Sequence, residues 1–412
     1  MIHGQWRSLY LGGLLLACLV LGGGTQKGLA TVFALELLAL PLLFDLAMHR
    51  SQQPGYQWPV YAMAGLIGFC FALQFLPFLS AELAFFSRDP GRTLDSMAYV
   101  GFALVLFFSY GRLDASSRDR MIAWLFLGVI LNIALAFTQF AASRSLAIDL
   151  FPYAVSAGFF ANANHFSSLL YVTIPFVVYQ FDAIGRLPLV GLALLLIVFV
   201  EFAAGSMAGI YLSLGCTLVS IAVIAPIRPL SRALLLGLAL LGAGGLALNP
   251  GNILQLSPDD PLDRPQIALT TLAAISQNLP FGSGYGTFDI VYPSVEPDTA
   301  ISGTFINHAH NEPLELLLEG GVPAALAMLG YCLLLVWRLP AARQSRLRLA
   351  ALCSIGFIFV HSLVDYPLRT AALVAVFALL NAIYFATDTA PKPPRRRRRS
   401  RRVTAEALRI RQ

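Results

Sequence analysis

Residues 308–337 read HAHNEPLELLLEGGVPAALAMLGYCLLLVW, and they decide the fold. After Pro313 the run is apolar except for Glu315 and Glu319, and it is long enough to cross a bilayer as a helix, which takes about 20 residues. Pro313 falls in the first turn, where a missing N–H costs nothing. His310 therefore stands at the mouth of a membrane helix. Unpaired backbone N–H groups and the positive end of the macrodipole meet there and attract anions. An imidazole at such a mouth is a candidate base, although a lone histidine near a helix start is more often a cap or a surface residue.

Outward from this stretch the composition agrees. Of 412 residues, 57% are hydrophobic and 12% charged, with a mean hydropathy of +0.71, against about 25% charged in a soluble domain. The fold expected is all-α, a polytopic membrane protein of about twelve transmembrane helices. The spans centre on 8–22, 28–48, 58–79, 93–110, 120–141, 165–180, 187–204, 206–225, 232–248, 314–337, 347–364 and 368–387. Cytoplasmic loops hold most Lys and Arg. With both ends inside, the split is 22 basic residues inside to 6 outside, the latter being Lys27, Arg88, Arg92, Arg144, Arg264 and Arg369. The organisation expected is a membrane domain over 1–386 with a long external loop at 249–313, then a basic, Pro- and Arg-rich tail at 387–412 that reads as disordered.

The net charge of +6 comes from that tail, so nucleic-acid binding is a poor reading and contact with anionic membrane lipids a better one. Cys18, Cys70, Cys216, Cys332 and Cys353 all fall in expected spans, which suggests neither a disulfide framework nor a CxxC metal site. The apolar N-terminus lacks a clear cleavage site and reads as a retained first helix.

Polar candidates concentrate on the external side. Glu312, Glu315 and Glu319 share one helical face by their spacing of three and four. Glu319 lies more than one turn into the apolar zone, which at the bilayer centre would cost up to about 2.5–3.5 kcal/mol as a charge and calls for a partner or an aqueous cavity. Pairing with external arginines, only to fix the helix, is the plainer account. His308 and His310 with nearby acids could instead ligate a metal, but no further external His or Cys cluster apart from His165 supports it. Arg264 is the one basic residue of the long loop. It suits a phosphate, which a guanidinium grips bidentately, or a salt bridge to Asp259, Asp260 or Asp263. A helix is expected from a cap at Asp263, with Pro265 in its first turn, through Asn278, lying at the membrane surface. GSGYG at 282–286 lacks a dinucleotide-site context and reads as a turn. Asn162 and Asn164, just before a span, are read as caps. Glu36, Asp45 and Glu201 within spans leave a secondary transporter of a small anion as a reading of a different class; no paired broken helices in two halves support it.

Together these residues resemble the O-antigen ligase and polysaccharide polymerase family of bacterial membrane glycosyltransferases. The resemblance covers about 158–380. It runs from GFFANANH (158–165) through Arg264 and PFGSGYGTF (280–288) to His310-Asn311 with Gly321 beyond nine intervening residues, then HSLVDYPLR (361–369). It implies transfer of a glycan from an undecaprenyl diphosphate carrier to an acceptor hydroxyl on lipid A-core, or to a growing repeat-unit glycan, at the periplasmic face of the inner membrane. It also implies inversion at the anomeric centre with no metal, nucleotide sugar or other cofactor. Carried onto this chain, His310 would be the base, Arg264 and Arg369 diphosphate contacts, and His308, Asn311, Glu315, Glu319, Asn164 and His165 supporting groups. One departure stands out. Family members commonly have Arg after Ser at the start of a mid-chain span, whereas this chain reads GSMAG at 205–209, and Met207 cannot bind phosphate.

Overall fold

The computed structural model describes residues 2–24, 29–49, 55–76, 86–141, 157–183, 186, 188–248, 264–301 and 305–387. Asp263, the expected cap, the acids Asp259 and Asp260, the first part of the 249–313 loop and the tail from 388 lie outside them.

The described residues are helical wherever they are regular. Nine helices come first, α1 (Ile2–Leu21), α2 (Ala30–Met48), α3 (Trp58–Gln74), α4 (Pro90–Gly111), α5 (Ala115–Ala141), α6 (Ala163–Ala183), α7 (Pro188–Ala204), α8 (Met207–Ile224) and α9 (Pro229–Leu248). The segment between α9 and the next long helix holds α10 (Arg264–Asn278) and the short α11 (Phe288–Val291). Three more follow, α12 (Glu312–Ala342), α13 (Arg346–Ser362) and α14 (Ala371–Phe385). Helices α2, α4, α5, α8 and α12 are each long and apolar enough to cross a membrane. The other apolar helices fall on the remaining expected spans but are shorter or less uniformly apolar.

The core sits around α14, nearly all of whose residues are buried, packed against α1, α4 and α13, while α6 packs on α8 and α13. Apolar side chains such as Leu37, Phe44, Leu195, Leu241 and Leu333 face outward, as they do on helices whose solvent is lipid.

One break shapes the site. Helix α12 is interrupted at Gly321 (φ 59°, ψ −148°), a backbone conformation open to glycine, and Pro323 follows without an N–H to continue the ladder. The segment 280–284 replaces the lost bonds. Val322 N donates to Pro280 O at 2.8 Å, Ser283 N to Leu318 O at 2.9 Å and Gly284 N to Glu319 O at 2.9 Å. Gly282, also at positive φ, lies so close to the Glu319 carbonyl that a Cβ would collide with it. The expected turn at 282–286 is therefore a clasp that splices the connection before α12 into the helix. Beyond the break, residues 322–342 measure about 31 Å at about 1.5 Å per residue, about the thickness of the hydrocarbon. All three glutamates precede it.

Candidate functional site

The local sequence sets the mouth of α12. Asn311 is its N-cap, accepting from Leu314 N at 3.0 Å, and Pro313 occupies the first turn as its fixed φ favours. The Asn311 amide also donates to Leu363 O at 2.8 Å, tying this mouth to the end of α13. His310 precedes the cap at φ 48°, the one described non-glycine residue with positive φ, a conformation that costs of order 1 kcal/mol and clusters at functional sites.

The two histidines of the HxH motif part company. His310 Nδ1 lies 3.4 Å from Asp365 Oδ1, whereas His308 Nδ1 is 2.8 Å from Glu315 Oε1. The Tyr366 ring stands between them, with centroids 4.2 Å from His308 and 4.9 Å from His310.

Asp365 is the hub. It is fully buried and lies in the connection between α13 and α14. His165 Nε2 and His361 Nε2 approach it at 3.7 and 4.0 Å. Asn164 Nδ2 donates to Oδ2 at 2.9 Å and Tyr366 N to Oδ1 at 2.9 Å. Burial alone would raise its pKa, but the facing His165 and His310 hold it well below the usual carboxylate range. The Tyr366 phenol is pushed up, mainly by burial. His361 Nδ1 faces the Ser168 and Tyr171 hydroxyls at 2.9 and 3.1 Å.

The buried glutamates find their partner in Arg369, whose terminal nitrogen is 3.3 Å from Glu315 and 3.2 Å from Glu319. Glu315 also accepts from Ala309 N at 2.9 Å, and Glu319 from Phe288 N at 3.3 Å. Glu312 accepts from Leu368 N and Ser362 Oγ. Arg264 opens α10 and donates to Val364 O at 3.0 Å, one residue from Asp365. Helix α10 turns Ile267, Thr270, Thr271, Ala274 and Ile275 toward α12 and leaves Leu269 and Leu272 exposed. Asn162, not Asn164, caps the start of α6 through Asn164 N at 2.7 Å. Among the described residues no three His, Cys, Asp or Glu side chains form a metal-ligating group.

The motif histidines, the three glutamates, Arg264, Arg369, Asn311, Asn164 and His165 thus reach one end of the bundle, where the starts of α6, α8, α10 and α12 meet the α13–α14 connection, whereas Asp45 pairs with Arg7 and Arg112 and Glu201 accepts from Ser213. Residues 192–329 match the O-antigen ligase family model. That stretch of the chain is similar to the O-antigen ligase family. No curated protein sequence matches the chain. The matched stretch contains Arg264, the clasp, both motif histidines and the break in α12. It stops short of Asp365.

Sequence reasoning gave no role to Asp365, Tyr366, His361 or Ser206. A usable signal existed for two of them. His361 and Asp365 are four residues apart at the end of an apolar helix, a position where buried charge needs a reason. Tyr366 and Ser206 carry no such mark.

Proposed function

We propose that this protein transfers a glycan from an undecaprenyl diphosphate carrier to an acceptor hydroxyl at the periplasmic face of the bacterial inner membrane. Ligation to lipid A-core is placed ahead of repeat-unit polymerisation. The observation that carries the reading is the His310–Asp365 pair at the mouth of α12, with a guanidinium fixed one residue away on Val364.

The chemistry follows from which atoms are occupied. Asp365 faces Nδ1 of His310 and leaves Nε2 for the acceptor hydroxyl, the arrangement by which a carboxylate orients an imidazole base. The hydroxyl oxygen attacks the anomeric carbon as its proton passes to Nε2. The bond from that carbon to the diphosphate oxygen breaks, and the diphosphate leaves with the electron pair. Attack opposite the leaving group inverts the centre. Arg264 contacts the departing charge, which needs a preorganised cation. Arg369, balanced by Glu315 and Glu319, adds the edge of its guanidinium that stays exposed. His308, Asn311, Asn164 and His165 support the base and its carboxylate.

The twelve-span topology with both termini cytoplasmic belongs to the same proposal. It is supported by the arginine split and by the gathering of the site at one end of the bundle. Purified protein in detergent, given a lipid-linked donor and a lipid A-core acceptor, tests the reaction. His310→Ala is expected to abolish transfer and leave folding intact; more than about a tenth of the wild-type rate would remove His310 from the role, since general-base catalysis is worth about 10²–10⁴.

A further inference from the structure

We infer that Ser206 is a positioning residue for this reaction, acting through Asn164 on the carboxylate that orients the base; the inference rests on the reading of His310 and Asp365 given above. Three hydrogen bonds and one charge contact link five groups in a chain. Gly209 N donates to Ser206 Oγ at 3.1 Å, so that this hydroxyl caps α8. Ser206 Oγ in turn donates to Asn164 Oδ1 at 2.9 Å. Asn164 Nδ2 donates to Asp365 Oδ2 at 2.9 Å, and Asp365 Oδ1 faces His310 Nδ1 at 3.4 Å. Ser206 is 1% and Asp365 0% exposed, with Asn164 half-buried between them, so water does not readily take the place of the Ser206 hydroxyl.

The direction of the chain is forced. A backbone N–H only donates, so Ser206 accepts from Gly209 and its own proton points to Asn164. An ionised carboxylate only accepts, so the amide must turn its NH₂ toward Asp365 and its oxygen toward Ser206. The serine hydroxyl thereby selects the amide orientation that places a donor on Oδ2. With Tyr366 N on Oδ1, the carboxylate plane is fixed opposite His310. The residue before Met207 thus works through the base side of the reaction, not through the donor phosphate.

The test separates this role from simple helix capping. Aspartate is as good an N-cap as serine but has no proton to give Asn164. Its oxygens would draw the amide NH₂ toward themselves and turn the amide oxygen onto Asp365. Ser206→Asp is therefore expected to fold with a lowered melting temperature, because its carboxylate is buried, to keep the wild-type KM for donor, and to lose at least about tenfold in kcat on the folded fraction, the scale of one hydrogen bond to a charged group. Wild-type kcat in Ser206→Asp would overturn the inference. Should that variant not fold, a cycle of Ser206→Ala, Asn164→Ala and the double variant decides the matter. A double variant no slower than Asn164→Ala alone supports the chain, because coupled residues are non-additive, and additive losses overturn it. Activity in His310→Ala would instead remove the underlying mechanism, so the two failures are distinct.

Discussion

Asp365→Asn isolates the charge at the centre of the site. The two donors at 2.9 Å, Asn164 Nδ2 and Tyr366 N, fall on different oxygens of the carboxylate. An amide has one oxygen, so its NH₂ must face one of these donors in either orientation. One hydrogen bond to a charged group is lost, worth about 1.5–3 kcal/mol, and a buried donor is left unpaired. The loss of stability should lie in or above that range. Activity should fall further, because His310 loses the carboxylate that faces Nδ1 at 3.4 Å and, in the proposed mechanism, orients the ring with Nε2 toward the acceptor. The expected fall in kcat is about 10²–10⁴, measured with lipid-linked donor on enzyme whose folded fraction is established by thermal melting. The pH dependence has a definite sign. The folded-state pKa of Asp365 is depressed, so its stabilisation is fully present above the unfolded value of about 3.9 and is lost as pH falls through the lower folded value. The gap in stability between wild type and Asp365→Asn should stay constant from neutral pH to about pH 4 and narrow below it. A variant that keeps more than a tenth of wild-type kcat when folded would refute the pairing of Asp365 with the base.

Arg264→Ala should raise the donor concentration needed for half-maximal rate and slow transfer, and Arg264→Lys should restore only part, since an ammonium lacks the planar fork; wild-type behaviour at limiting donor would remove the diphosphate contact. Met207→Arg in the Arg264→Ala background should recover activity if the two positions serve one pocket, and no recovery would separate them. A cysteine at Thr299 should react with a membrane-impermeant thiol reagent in intact spheroplasts and one at Ser400 should not; labelling at Thr299 only after lysis would invert the topology.

The fold was largely legible because a bilayer imposes helix length and apolarity on each span. Each expected centre has a helix over it, and the helix expected through Asn278 ends there. The break in α12 was less visible. Gly320-Gly321 and Pro323 mark a weak point, but what makes a break instead of a kink is the clasp from 280–284, some forty residues away in the chain. Sequence spacing shows that Gly282 and Gly321 can adopt positive φ and gives no hint that they meet.

The site was legible in part for the same reason. Spacing along one helix placed Glu312, Glu315 and Glu319 together, and the cost of a charge in lipid demanded a cation for them. That argument does not name the cation, because Arg369 is on another helix connection. The HxH pattern misled in the other direction. Residues two apart in an extended segment share a side, but the turn at His310, with φ 48°, and the ring of Tyr366 send the two imidazoles to different carboxylates. Each histidine consequently has its own acid, His308 with Glu315 before the break and His310 with Asp365 beyond the end of α13. Only the second pair is oriented by groups from α6 and α8, and this difference in support, not proximity to the helix mouth, is the physical reason to place the base at His310.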